Sequence, residues 1–376
     1  MTTPRENLMN ILRHEIPDWI PVTGHVDPYN RPSLEGMDPE LAKVLANIQW
    51  GDESIVTFSR YLGLDIMDMC GVPVRITRRN VSVEQHVNGD STTYVWHTPK
   101  GDLREVTQVC RDDTGAVSSN WTEHMVKSPE DIPAFAAIFE DALVEADPDG
   151  FEHIRSRRQL IGDDGVLIGS MDGTPLGMMY RVFSGVGTLA YLWADARDAM
   201  RDLFSAMETN YLQRMAVAIA SDIDVLVGID DTSTTAISPD MFETCNLHLT
   251  NERTRVAHSG GKYYFHHSCG HIRDLLPLYR QTNMDAVHAF TVPPVGNVTV
   301  AEGRRLLGDR ITIHAGVDQL AGPMDDLDAV RGNIHQMIGE AEPWDHFTLG
   351  IAGYPNRTIE QTRFVVDCCR EAGVKK

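Results

Sequence analysis

The residues best suited to chemistry are His267 and Cys269, which stand two apart in the run Phe265-His266-His267-Ser268-Cys269-Gly270. On an extended strand that spacing turns both side chains to one face. An imidazole and a thiolate side by side make half of a tetrahedral zinc site. Gly270 lets the backbone turn sharply just after the second of them. A packed thiol beside a hydrogen-bonded histidine has the same spacing, so two residues alone leave both readings open.

What gives the pair weight is the element expected to carry it. Eight short apolar segments recur along the chain: Trp19–Val26, Leu64–Met69, Val166–Asp172, Val225–Asp231, Tyr263–Ser268, Ala286–Thr291, Ile311–Gly316 and Phe347–Ile351. Amphipathic stretches such as Ala196–Ala220, Pro239–Ser259, Val300–Leu307, Leu327–Glu340 and Ile359–Ala372 separate or follow the later ones. Strands alternating with helices predict parallel βαβ units, and eight of them predict an α/β fold of the (β/α)8 TIM-barrel kind. An open doubly wound sheet would show a glycine-rich phosphate turn after its first strand, and Gly24-His25-Val26-Asp27-Pro28 is not one.

In a parallel barrel the working groups collect where strands end and βα loops begin. Those ends hold Asp27, Asp68 and Cys70, Asp172, Asp230 and Asp231, the His267–Gly270 turn, His288, His314 with Asp318, and finally Gly350–Tyr354. One stretch breaks the rhythm. Val72–Arg111 reads as strand-rich, and Asn88-Gly89 between alternating segments is a strong hairpin signal. The expectation is a single barrel domain over residues 1–376 with a β-hairpin insertion over 72–111 after the second strand. Ser128–Arg158 reads as helical surface leading back to the third strand.

Composition narrows the function classes. The chain has 376 residues, 42% apolar and 23% charged, which is ordinary for a globular protein. Its six cysteines (Cys70, Cys110, Cys245, Cys269, Cys368 and Cys369) show no framework spacing, as in a reducing compartment. No signal peptide is read at the N-terminus and no apolar run reaches membrane-spanning length, so a cytoplasmic protein without membrane partners is expected. The formal net charge of −21 argues against nucleic-acid binding and against anionic substrates lacking a local basic pocket. A homodimer is compatible with the sequence.

Several motifs together resemble the uroporphyrinogen decarboxylase-like superfamily. They are Asp230-Asp231, Ile237-Ser238-Pro239-Asp240-Met241-Phe242, Gly261-Lys262, Phe265–Ile272 around the His-x-Cys pair, and Leu276-Pro277. Gly308-Asp309-Arg310, His314-Ala315-Gly316-Val317-Asp318, and Gly173-Thr174-Pro175 followed by Tyr180 complete the set. The match runs from about residue 4 to the end. Porphyrinogen decarboxylases in that group carry paired arginines in the first loop and a histidine after the last strand. This chain has only Arg31 in Gly24–Pro32 and reads Gly350-Ile351-Ala352-Gly353 at the second place.

The resemblance therefore points to the zinc- and corrinoid-dependent methyltransferase branch. It implies Zn2+ at His267 and Cys269. The later cysteine of that branch, past strand eight, is missing here, so His288 is the expected third ligand, with His314 or Asp231 as substitutes. Asp68, Tyr180 and Asp231 are the expected catalytic residues. With no Asp-x-His-x-x-Gly motif in the chain, the corrinoid is expected on a separate partner protein. The methyl donor is expected to be small, an aryl methyl ether being suggested by methionines and aromatics near the pocket. The alternative is a lyase, a metal-free decarboxylase using Asp68 and Tyr180. A non-catalytic barrel that has kept the pocket is a third reading.

Overall fold

The computed structural model describes residues 2–25, 34–46, 53–111, 117–317, 324–352 and 357–374. Asp27, Arg31, Asp318 and Gly353-Tyr354 lie outside the described residues. In chain order the strands are β1 (Val22–His25) and β2 (Ile66–Gly71). An excursion follows, with β3 (Val74–Arg78), β4 (Ser82–Asn88), β5 (Ser91–Thr98), β6 (Gly101–Arg111), β7 (Val117–Glu123) and β8 (Ala142–Ala146). The chain then returns as β9 (Gly165–Asp172), β10 (Val225–Ile229), β11 (Tyr263–His267), β12 (Ala286–Phe290), β13 (Thr312–Gly316) and β14 (Phe347–Ala352).

Eight of these form one parallel sheet in the order β1-β14-β13-β12-β11-β10-β9-β2. Its two ends meet at Asp65. The Asp65 N–H donates to the Val22 carbonyl at 2.9 Å, and its carboxylate accepts from the Val22 N–H at 2.8 Å. Helices lie between consecutive barrel strands, so the expected (β/α)8 barrel is the fold.

β9 and β10 show how the sequence fills it. Val166, Ile168, Val225 and Val227 point inward and pack with Phe265 and with Leu8 and Leu12 of the N-terminal helix Pro4–Leu12. Leu167 and Leu226 point outward into the larger core beneath the surrounding helices. Strands buried on both faces read as continuous apolar runs rather than alternating ones. The Pro4–Leu12 helix begins at Thr3, whose side chain and the Glu6 side chain cap one another's backbone N–H.

The excursion after β2 is longer than the 72–111 expected. β4 to β7 make a four-stranded antiparallel sheet that reaches Glu123, and β3 pairs with β8 instead of joining it. β8 therefore interrupts the stretch Ser128–Arg158, which holds the helices Ile132–Glu140 and Pro148–Ile161 on either side of a strand. The expected turn is present: Asn88 pairs with Ser91 around Gly89-Asp90, and Gly89 has φ +60°. No described helix is long and apolar enough to cross a membrane.

Candidate active site

At the C-terminal mouth of the barrel, β10 ends at Ile229 and the next two carboxylates part company. Asp230 turns into the protein and is fully buried. It accepts from the Thr174 N–H at 2.6 Å and from the Thr174 hydroxyl at 2.5 Å, and it faces His266 Nδ1 at 3.2 Å. Burial raises its carboxyl, yet His266, Arg253 and Thr174 together hold it far below the usual range. The Gly173-Thr174-Pro175 motif thus serves to anchor this turn. Gly173 has no room for a side chain, since a Cβ there would sit 2.5 Å from the Ile229 carbonyl oxygen.

Asp231 turns the other way, toward the mouth. Its φ of +50° lies in the left-handed region, which aspartate tolerates better than most residues. Three contacts hold it there. Its N–H donates to the His267 carbonyl at 2.9 Å, Arg181 Nε lies 3.0 Å from Oδ2, and the Tyr180 hydroxyl reaches the carbonyl oxygens of Asp230 and Asp231. Arg181 also donates to the Ile229 carbonyl. Burial pushes the Asp231 carboxyl up, but His267, Arg181 and the Cys269 thiol outweigh it, leaving Asp231 below the usual carboxylate range.

His267, the last residue of β11, directs its two ring nitrogens to different partners. Nε2 is 2.8 Å from Asp231 Oδ1, and Nδ1 is 2.8 Å from His288 Nδ1. Cys269 lies past the strand end, in the loop, and its Sγ donates to Asp231 Oδ1 at 3.3 Å. Burial, followed by the charge of Asp231, pushes the Cys269 thiol up to about 12. One oxygen, one nitrogen and one sulfur donor of Asp231, His267 and Cys269 consequently lie within 4.8 Å of one another.

That donor set fits zinc. Three protein ligands of N, O and S type leave a fourth tetrahedral position open, as in catalytic rather than structural sites. The carboxylate and the thiolate would neutralise a divalent ion, which would displace the thiol proton. With Oδ2 held by Arg181, Asp231 has Oδ1 left to offer.

The remaining expected residues fall into place unequally. His288, expected as third ligand, stands at the other ring nitrogen of His267; the donor cluster contains Asp231, one of the expected substitutes. The in-register pairing of His267 with His288 across β11 and β12 puts His288 there. His288 stacks in turn on His314, with centroids 4.5 Å apart. His314 Nδ1 accepts from the Ala289 N–H, and Nε2 is 2.9 Å from the Thr23 hydroxyl, which itself donates to the Leu349 carbonyl. A bulge at Ala289, with φ +64°, lets the β12 and β13 rings overlap.

Asp68 is not in the site. It faces outward from β2, where both carboxylate oxygens are bound by Arg157 at 2.6 and 2.8 Å, and both side chains are buried. Its neighbours Met67 and Met69 face the barrel instead. Asp172, the last residue of β9, is paired with Arg214 and is not among the described residues lining the cavity. Tyr180 reaches the site only through the Asp230 and Asp231 carbonyls. Thr23 and Arg181 were not anticipated, and no spacing or motif signals either.

The cluster opens on a cavity of about 330 Å³. Met67, Met69, Ile168, Ile229 and Ile351 form its apolar wall; His267, Cys269, His288 and His314 line one side. No Lys or Arg, and no Phe, Tyr or Trp, is among the described residues lining it. The methionines expected at the pocket are present; the expected aromatics are not among its described lining residues. Gly350 stands where β14 passes His314, and a Cβ there would come 2.4 Å from His314 Cε1. Neither Gly350 nor Ile351 offers a sulfur ligand, and Cys368 and Cys369 are buried in the last helix, Ile359–Ala372.

Comparison with known proteins agrees with this architecture. No curated protein matches the sequence. Among solved structures, a methyltransferase from Methanosarcina mazei superposes over 99% of both chains with a TM-score of 0.60 at 14% identity, which is a likeness of fold. A B12-independent methionine synthase from Shewanella sp. W3-18-1 covers 94% of this chain and 96% of its own, with a TM-score of 0.49 at 9% identity. The family model for uroporphyrinogen decarboxylase (URO-D) matches residues 120–372, about two thirds of the sequence and nearly all of the barrel beyond β2. The chain belongs to the uroporphyrinogen decarboxylase (URO-D) family.

Proposed function

We propose that this protein is a methyltransferase that binds zinc through Asp231, His267 and Cys269 and passes a methyl group from a small donor to the cobalt of a separate corrinoid protein. The observation that carries the reading is the meeting of N, O and S donors at the rim of an apolar cavity. The Methanosarcina methyltransferase of the same fold adds support. Zinc held there supplies a Lewis acid for the heteroatom that bears the methyl group.

The protein's own groups do the rest. Met67, Met69, Ile168 and Ile351 bind the uncharged donor and exclude water. Arg181 and Tyr180 hold the Asp231 turn, and His288 holds the His267 ring, so that the donors do not reorganise during the reaction. An aryl methyl ether or a similarly apolar donor suits these walls. The alternative, a metal-free carboxy-lyase, loses its carboxylate because Asp68 is bound by Arg157. Among the described residues lining the cavity, no Lys or Arg offers a tetra- or octa-anionic substrate a counter-charge.

The test is methyl transfer to a cob(I)alamin-bearing partner protein, followed by the corrinoid absorbance change, with wild type, His267→Ala and Cys269→Ala. Transfer that needs both residues supports the reading. Substrate turnover with carbon dioxide release and no corrinoid protein overturns it.

A further inference from the structure

β4 is an open sheet edge. All seven of its residues, Ser82–Asn88, are exposed, including Val83 at 44% and Val87 at 67% of full accessibility. It pairs with β5 on one side, and no described strand pairs with the other. Exposed edges are normally blunted by charged side chains, lysine above all, by proline or by a bulge, because free N–H and C=O groups invite another strand. Ser82-Val83-Glu84-Gln85-His86-Val87-Asn88 has no lysine, proline or bulge, and its one carboxylate, Glu84, lies 3.5 Å from both His86 and His97.

The edge is also complementary to itself. The two-residue turn Gly89-Asp90 makes Asn88 and Ser91 a hydrogen-bonded pair, and alternation then directs the backbone of Glu84 and His86 toward Val95 and Thr93 of β5. The N–H and C=O groups of Val83, Gln85 and Val87 therefore point outward. If a second β4 runs antiparallel with Gln85 opposite Gln85, those three residues supply all the hydrogen-bonded pairs. Val83 then meets Val87 on the face that carries Trp96 and Tyr94, and Glu84 meets His86 on the other. The Glu84–His86 pair falls at the non-hydrogen-bonded positions, where opposed side chains come closest. A shift of one residue in this register loses the match at every position.

We propose that the protein forms a two-fold dimer in which β4 pairs antiparallel with β4 of a second copy about Gln85, joining two four-stranded sheets into one of eight strands. The partner is a copy of this chain because apolar, polar and charged positions match under the two-fold operation. The proposal stands on the excursion alone and is independent of the chemistry assigned to the barrel mouth.

Sedimentation equilibrium of the full chain tests it. Wild type is expected to be a dimer at high concentration and to dissociate on dilution. Gln85→Pro removes an outward N–H that no described residue accepts, so the folded monomer keeps its circular dichroism and melting point while the dimer is lost. His86→Glu alone weakens the dimer about tenfold by opposing like charges, and adding Glu84→Lys to it restores the dimer. Gln85→Cys crosslinks across the axis on mild oxidation, whereas Val83→Cys, about 13 Å from its own copy, does not. A wild-type monomer at all concentrations overturns the proposal. So does a dimer that survives Gln85→Pro, or one crosslinked equally well from position 83.

Discussion

Replacing Arg157 by methionine strips the buried Asp68 carboxylate of its hydrogen-bonded counter-charge. The pair is doubly hydrogen-bonded, at 2.6 and 2.8 Å, with only 3% and 2% of the two side chains exposed. Removing one partner of such a pair costs about 3–5 kcal/mol, because the other charge stays buried. For a chain of this length that corresponds to a drop of roughly 4–6 °C in melting temperature. Asp68→Asn acts in the same direction by removing the charge that faces the guanidinium. Arg157→Met combined with Asp68→Leu recovers most of the loss, since an apolar pair of similar volume replaces a buried ion pair at little cost. The assay is a urea melt of all four proteins, with zinc content and methyl transfer measured on the folded fraction. Every variant is expected to keep both per folded molecule. Asp68→Asn with wild-type stability and abolished turnover would show that Asp68 works in the chemistry and would refute its placement outside the site.

Further outcomes follow from the same structure. Tyr180→Phe releases the Asp230–Asp231 carbonyls and is expected to weaken zinc binding by about 10–100-fold, as measured by competition with a chromophoric chelator; unchanged affinity contradicts the support role. Gly350→Ala forces His314 from beneath β14 and costs about 1–3 kcal/mol of stability, read by denaturant midpoint. An unchanged midpoint means that the ring is not held there. The pair of His258 with Asp285 raises the histidine above its ordinary value, chiefly through the hydrogen bond. Its contribution, below about 1 kcal/mol because His258 is half exposed, is complete below the unfolded pKa of about 6.5 and fades as pH rises through the raised folded value. The wild-type stability advantage over His258→Asn should shrink from pH 6 to pH 8; an advantage that grows over that window contradicts the sign.

Strand ends were legible in the sequence because each apolar run stops at polar or Gly residues, and the His267–Gly270 turn lies where periodicity predicts it. Which face of each strand looks into the barrel was not legible. β2 is covered on both sides, so Asp68 between Met67 and Met69 carries no mark of its outward direction. Asp231 became a candidate ligand through a left-handed backbone turn that Asp230 does not share, and adjacent aspartates give no hint of such a split. The pairing of His267 with His288 depends on register between two strands, which sequence spacing does not encode. β8 was missed because Ala-Leu-Val-Glu-Ala lies inside an acidic, helix-rich stretch and owes its strand form to β3, more than sixty residues earlier. Arg181 acts through the backbone and one carboxylate oxygen, a role that leaves no motif.

The most direct measurement is zinc X-ray absorption on the purified protein, paired with elemental analysis. One zinc per chain is predicted, with a single sulfur at about 2.3 Å and the remaining first-sphere atoms N or O near 2.0–2.1 Å. Cys269→Ala should remove the sulfur signal, and Asp231→Asn should lower occupancy while keeping it. A protein that takes up no zinc, or that binds it without sulfur, contradicts the assignment of Asp231, His267 and Cys269 as its metal site.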